Sequence, residues 1–272
     1  MSTILTARTA GQAPAAERET KNEEVIWKSV YRAGGAAALL AVLVTLSEIA
    51  ITFLPGGNAS PETIDGWFTL FQDNWFLGLR NLGLLNLAFT TLALLVFFAL
   101  YGAHRHANRP YAALALILFI LGGAVFYATN RAFPMLALSR QYADAVSDAQ
   151  RATVMAAAQA MLAVGQSHTP GTFLGFFLSE VAGLVMALVM LRSRIFGSAT
   201  AYAGISAFGF LLVFEVCASF VPALGAVAML FAMVGGLSSI VWYLLAARRL
   251  FQLGQRAPER RLHPSSSRIG AH

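Results

Sequence analysis

The chain has 272 residues, 57% of them hydrophobic and 12% charged, with a formal net charge of +6. Soluble domains carry about a quarter charged residues, so this balance excludes an ordinary soluble globular domain and marks an integral membrane protein. The excess of basic residues does not signal nucleic acid, because they cluster between apolar runs rather than on an amphipathic surface.

In chain order, residues 1–24 are polar, rich in Ala, Thr and Glu, and lack the apolar core of a cleavable signal peptide. They are expected to form a disordered cytoplasmic segment. Residues 25–253 are expected to be a six-helix transmembrane domain, and 254–272 a basic cytoplasmic tail resting on anionic lipid. The first apolar run should serve as an uncleaved signal anchor. A helix needs about 20 apolar residues to cross a bilayer. Six segments qualify: 33–54, 76–102, 111–133, 172–191, 200–221 and 223–247. Pro55-Gly56-Gly57 stops the first, Pro110 and Pro134 flank the third, and Pro222 ends the fifth. Thr169 and Pro170 read as the cap and first-turn proline of the fourth. Cys217, the single cysteine, lies inside the fifth and admits no intrachain disulfide.

Orientation follows from Arg and Lys. Lys28 and Arg32, Arg105 and Arg109, Arg192 and Arg194, and Arg248, Arg249 and Arg256 all fall on one side if six spans are correct. The loop 55–75 has no Lys or Arg but has Glu62, Asp65 and Asp73. The loop 134–171 balances Arg140 and Arg151 with Asp144 and Asp148. The basic side is therefore expected to be cytoplasmic, with both termini there. The stretch 154–165 is apolar but too short to span, and 135–166 reads as one or two helices outside the membrane. In the first loop, Ser60 and Pro61 read as cap and first turn of a short helix. Ile64, Trp67, Phe68, Phe71 and Trp75 recur on one face, which is expected to lie aromatic-side down on the outer interface. The fold class is thus all-α, a polytopic membrane protein with amphipathic outer-surface helices in both extracytoplasmic loops.

Polar groups concentrate in the outer half of these spans. With a rise of about 1.5 Å per residue, Glu48 is about 9 Å deep, Glu215 about 10 Å, Glu180 about 12 Å and Asn86 about 15 Å. Arg80 and Asn81, and Asn130 and Arg131, lie nearer the outer ends. An ionised side chain in hydrocarbon costs roughly 2.5–3.5 kcal/mol on insertion scales. Small residues mark helix contacts in membranes, and they recur at Gly171, Gly175, Ser179, Gly183 and Ala187; at Gly34, Ala38, Ala41 and Thr45; and at Gly225, Ala228, Ala232, Gly236 and Ser239. Glu180 borders the first stripe and Glu48 continues the second. A paired Arg and Glu is cheaper to bury than two orphans. The expectation is one network around a polar cavity open to the extracytoplasmic side, containing Glu48, Arg80, Arg131, Glu180 and Glu215, with Asn81, Asn86 and Asn130 as further polar candidates. His104 and His106 read as a solvated turn. His168 lies at the outer mouth, where a glutamate could join it on a metal, but the histidines are too few to indicate a metal site. No phosphate loop, CxxC pair or nucleophile elbow is present, and no cofactor is expected.

The segments "MLALSRQYADA", "MLAVGQSHTPGTFLG", "VMLRSRIFGSATAYAGI" and "ARRLFQLG" resemble a family of bacterial integral membrane proteins designated domain of unknown function forty-three eighty-six. The resemblance covers about 31–254. It implies a bacterial inner-membrane location and a single domain, and it carries no activity and no functional residues.

Three function classes follow. The first is binding, extending to processing, of a small or amphipathic ligand in the outer-half cavity. There the arginines would hold an anionic group and one glutamate would act as acid or base. The second is a proton-linked small-molecule transporter. The third is a non-catalytic membrane subunit or scaffold. Membrane lipids are expected partners, and the small-residue faces admit a homo-oligomer.

Overall fold

In hydrocarbon every backbone polar group must be satisfied within its own segment or a closed barrel, so long apolar runs fold as helices. The computed structural model describes residues 15–54, 61–165 and 167–255, and all its regular elements are helical. Helix α1 is Ala15–Thr52, α2 Ile64–Asp73, α3 Trp75–Asn81, α4 Leu84–His104, α5 Arg109–Thr129, α6 Ala132–Ala143, α7 Asp148–Ala163, α8 Phe173–Ser193, α9 Ser198–Phe220 and α10 Gly225–Gln255. Among the described residues six helices are long and apolar enough to cross a membrane. They include α1, α4, α5, α8, α9 and α10. The remaining helices, α2, α3, α6 and α7, gather at one end, called here the cap end. The opposite, basic end carries Lys28, Arg32, Arg105, Arg109, Arg192, Arg194, Arg248 and Arg249.

The six long helices form a ring. Each packs on the next in chain order, and α10 closes on α1. Glycines set the close approaches. A Cβ on Gly34 would lie 2.3 Å from the Ala99 Cβ, and one on Gly183 would lie 2.2 Å from the Phe208 ring. Gly175 faces the backbone of Phe126 and Gly122 on α5, so the expected α8 stripe is the seam toward α5 and α9. The α10 stripe differs. Gly225 and Gly236 face open space, while Gly235 meets Leu211 on α9.

The buried core of the ring runs from mid-bundle to the basic end: Ala38 and Ala41 on α1, Phe97 and Leu100 on α4, Phe119 on α5, Met186 and Met190 on α8, Phe208 on α9, Trp242 and Leu250 on α10. Toward the cap end α10 presents much of its surface outward. Only 11% of the most apolar stretch of α10 is buried, against 28–39% in the other five.

A second core holds the cap together. Trp67, Phe68 and Phe71 of α2 are buried with Leu79, Leu82, Ala132, Met135 and Ala158. This corrects the expectation that the aromatic face of α2 lies against lipid: it packs on α3, α6 and α7, and Trp75 and Phe76 are the aromatics left exposed. The Ser139 hydroxyl donates to the Phe68 carbonyl at 3.2 Å, and the Tyr142 hydroxyl to Asp65 at 3.3 Å. The cap of α2 is Thr63, whose hydroxyl accepts from Gly66 N–H at 3.1 Å. Ser60, expected in that role, lies outside the described residues, as do 1–14 and the tail from 256.

Other boundaries also moved. Helix α1 begins at Ala15, ahead of the expected 25. Helix α8 begins at Phe173 rather than being capped by Thr169. The expected second span, 76–102, is two helices, broken where Gly83 takes φ of 98°. That left-handed backbone suits glycine and few others. A Cβ there would also sit 3.2 Å from Nδ2 of Asn130. Gly83→Ala is expected to destabilise the protein by about 1–3 kcal/mol, read as a lowered thermal midpoint in detergent. An unchanged midpoint would mean that the break is not held at this residue.

Candidate functional site

The break at Gly83 decides where the second-span charges go. Arg80 and Asn81 lie on α3, at the junction of ring and cap, rather than in the wall of α4. From there Arg80 reaches the end of α1. Its Nη2 lies 2.7 Å from the Glu48 carboxylate, donates to the Glu48 carbonyl at 3.0 Å and bonds the Thr52 hydroxyl. Its Nη1 donates to Asn81 Oδ1 at 2.9 Å. One guanidinium thus pairs with the Glu48 carboxylate and braces the end of α1 through the Glu48 carbonyl and the Thr52 hydroxyl.

Asn130 is a splice. Its Nδ2 donates to the Leu82 carbonyl at 3.2 Å and its Oδ1 accepts from Ala132 N–H at 3.0 Å. It therefore holds the turn between α3 and α4 while joining α5 to α6. The neighbouring Arg131 is buried, with 5% exposure. Asn86 sits half-buried near the start of α4.

A second cluster gathers at the cap half of α8 and α9. His168, in the connection before α8, has φ of 62°. Its Nδ1 lies 2.5 Å from Glu215 Oε2. Glu215 is 1% exposed and also accepts from the Ser219 hydroxyl at 3.3 Å. The His168 ring rests between Phe176 and Phe214, with centroids at 4.3 and 4.8 Å. One helical turn beyond Phe176, Glu180 comes within electrostatic range of both Glu215 on α9 and Tyr243 on α10. The residue as a whole is partly exposed. Its Oε2 is enclosed and has no hydrogen-bond partner.

Beneath Glu180 lies an aromatic layer. Tyr243 is edge-on to Phe89 and to Trp242, and Trp242 is edge-on to Phe208. Phe97 stacks on Phe119 at 4.2 Å. This layer belongs to the buried core of the ring.

The expected single network is therefore corrected. Glu48 pairs with Arg80 and Glu215 with His168, and no arginine pairs with Glu180 or Glu215 among the described residues. The reason is geometric: α3 places Arg80 against α1, not across the ring. A hollow of ≈ 240 Å³ on the cap lies between Phe71, Trp75, Leu136 and Arg140, and none of the eight candidate residues lines it. Among the described residues no three His, Cys, Asp or Glu side chains converge as a metal set. His168 is the group that depth reasoning left outside the site. Its position just before α8, at the same end as Glu215, was the available signal.

Compared with known proteins, the chain matches no family model, no curated protein and no solved structure.

The clamp on α1 can be measured directly. In a double-mutant cycle of Glu48→Gln and Arg80→Met, the coupling is expected to be about 1–3 kcal/mol, discounted because Glu48 is 36% exposed. Each single variant should be less stable than the double. A coupling near zero would show the pair to be incidental.

Proposed function

We propose that this protein binds a small or amphipathic ligand in the cap half of its helix ring, with Glu180, Glu215 and His168 forming the polar end of the site. The observation that carries this reading is the Glu180 carboxylate. One of its oxygens is enclosed without a partner, near a second carboxylate. A buried acceptor left unmade costs about 1–3 kcal/mol. A ligand donor, an amine or hydroxyl head, would satisfy it.

The architecture supports access from the bilayer. Contacts between α1 and α10 are anchored at the basic end, where the Arg32 Nε donates to the Gly254 carbonyl at 3.1 Å and Gly34 meets Leu250. Toward the cap end, Leu43, Leu46 and Ile49 of α1 and Leu230, Met233 and Leu237 of α10 are exposed. An apolar chain lying in the membrane would follow this side while its head reaches Glu180, over the aromatic layer of Tyr243 and Trp242. Binding extends to processing through His168 and Glu215, whose 2.5 Å contact joins two groups able to give and take a proton. Arg80, engaged by Glu48, Thr52 and Asn81, plays a structural part in this reading.

Excess Arg and Lys at the basic end favours a cytoplasmic position for that end and an outer position for the cap. Together with the motif resemblance noted above, this favours a bacterial inner membrane.

Native mass spectrometry of protein purified in mild detergent tests the function. Wild type is expected to retain a copurified small molecule. Glu180→Gln should lower its occupancy about tenfold, the effect of losing one charge-assisted hydrogen bond of about 1.4 kcal/mol. Arg80→Met should lower stability without a comparable loss. Equal retention by wild type and Glu180→Gln would sink the proposal.

A further inference from the structure

The charge budget of the cap end leaves Arg131 over. The side chain is 5% exposed, yet its Nε and Nη1 are enclosed and have no hydrogen-bond partner. Among the described residues no carboxylate lies within ion-pair distance of it. Glu48 is taken by Arg80, Glu215 by His168 and Asp148 by Arg151. Asp65 accepts from Tyr142, and Glu180 lies with Glu215 and Tyr243. The neighbouring amide offers nothing, since both ends of Asn130 are used.

A guanidinium cannot escape by losing its proton. Enclosed and unpaired, it is among the most expensive groups a protein can bury. The first span-end arginine, Arg80, shows what this fold does with a cation it keeps: it surrounds it with a carboxylate, a carbonyl and a hydroxyl. Arg131 sits at a comparable place, between α5 and α6, without any of these.

Its level in the molecule points to the missing group. Arg131 follows the end of α5, at the ring–cap junction, and the exposed aromatics Trp75, Phe76 and Phe133 lie on the same junction. An exposed Trp at a helix end marks the membrane–water interface, the depth of lipid headgroups. Phosphate oxygens are abundant there, and a guanidinium binds them through paired N–H donors better than an ammonium does.

We propose that Arg131 is the receptor of a phosphate oxyanion at the ring–cap junction, a site separate from Glu180. The anion completes the guanidinium and fastens α6 to the end of α5. The shared chemistry has two sources, a phospholipid headgroup and free inorganic phosphate.

The test uses full-length protein, delipidated in maltoside detergent and free of oxyanions, and follows thermal midpoint and binding by calorimetry. Titrated with inorganic phosphate or with a short-chain phosphatidylglycerol, wild type is expected to gain stability with at least one of them, and to bind at least about tenfold more tightly than Arg131→Gln. Stabilisation by phosphatidylglycerol alone assigns the lipid source, and stabilisation by both assigns the free anion as sufficient. Without any anion the order should reverse, Arg131→Gln being as stable as wild type or more so, because the variant removes an unpaired buried charge. Arg131→Lys should keep weaker binding. If neither probe stabilises wild type, or Arg131→Gln binds equally, or the variant is less stable in anion-free buffer, the proposal is overturned. Glu180→Gln should leave the phosphate response unchanged, so failure here and failure of the ligand reading are separable.

Discussion

A charge placed in or beside hydrocarbon must find a counter-group, and this requirement orders the cap end of the molecule. Glu48 could sit on the last two turns of α1 only if a cation came to it. The cation is supplied by a helix that the sequence would otherwise have run straight into α4. Breaking that run at Gly83 turns α3 aside and lays Arg80 across α1. The same break frees the Leu82 carbonyl, which Asn130 then takes. One left-handed glycine thus fixes three helix junctions, between α1 and α3, α3 and α4, and α5 and α6.

Packing divides the ring in a complementary way. At the basic half, large rings fill glycine notches: Trp242 against Gly204, Phe208 against Gly183, Trp27 against Gly102. Such fits leave no room for a ligand, and a Cβ at any of these glycines would approach within 3 Å of a ring atom. At the cap half the notches on α10 are open, and the polar groups are found there. A tightly packed half gives rigidity, while toward the cap end Glu180 keeps one enclosed carboxylate oxygen without a partner.

Much of this was legible from the residues. Six helices long and apolar enough to cross a membrane follow from apolar length and rise per residue. The aromatic periodicity of α2 showed that the helix had a face to cover. It could not show what covers it, because the partners come from far along the chain, 71 residues for Ser139 on Phe68 and 77 for Tyr142 on Asp65, and the same face would suit lipid. Gly83 was invisible for a related reason: one glycine in an apolar run is ordinary, and only its φ reveals the break. Which acid meets which base was also beyond reach. Depth places groups on a level, whereas pairing depends on which side of the ring each helix presents.

His168 carries the last step. It belongs to a connection so tight that a Cβ on Gly165 would meet the Thr169 hydroxyl at 2.3 Å and one on Gly171 would meet the Val164 carbonyl at 1.8 Å. Both glycines are therefore held in place by their neighbours. Val164 caps the end of α7, a cap helix, and Thr172 precedes α8, a ring helix. Between them His168 bonds Glu215 of α9. The cap and the polar end of the ring are thus joined through one imidazole. Any displacement of α7 relative to α8 must pass through this knot, and so through the contact that compensates the most deeply buried carboxylate of the site.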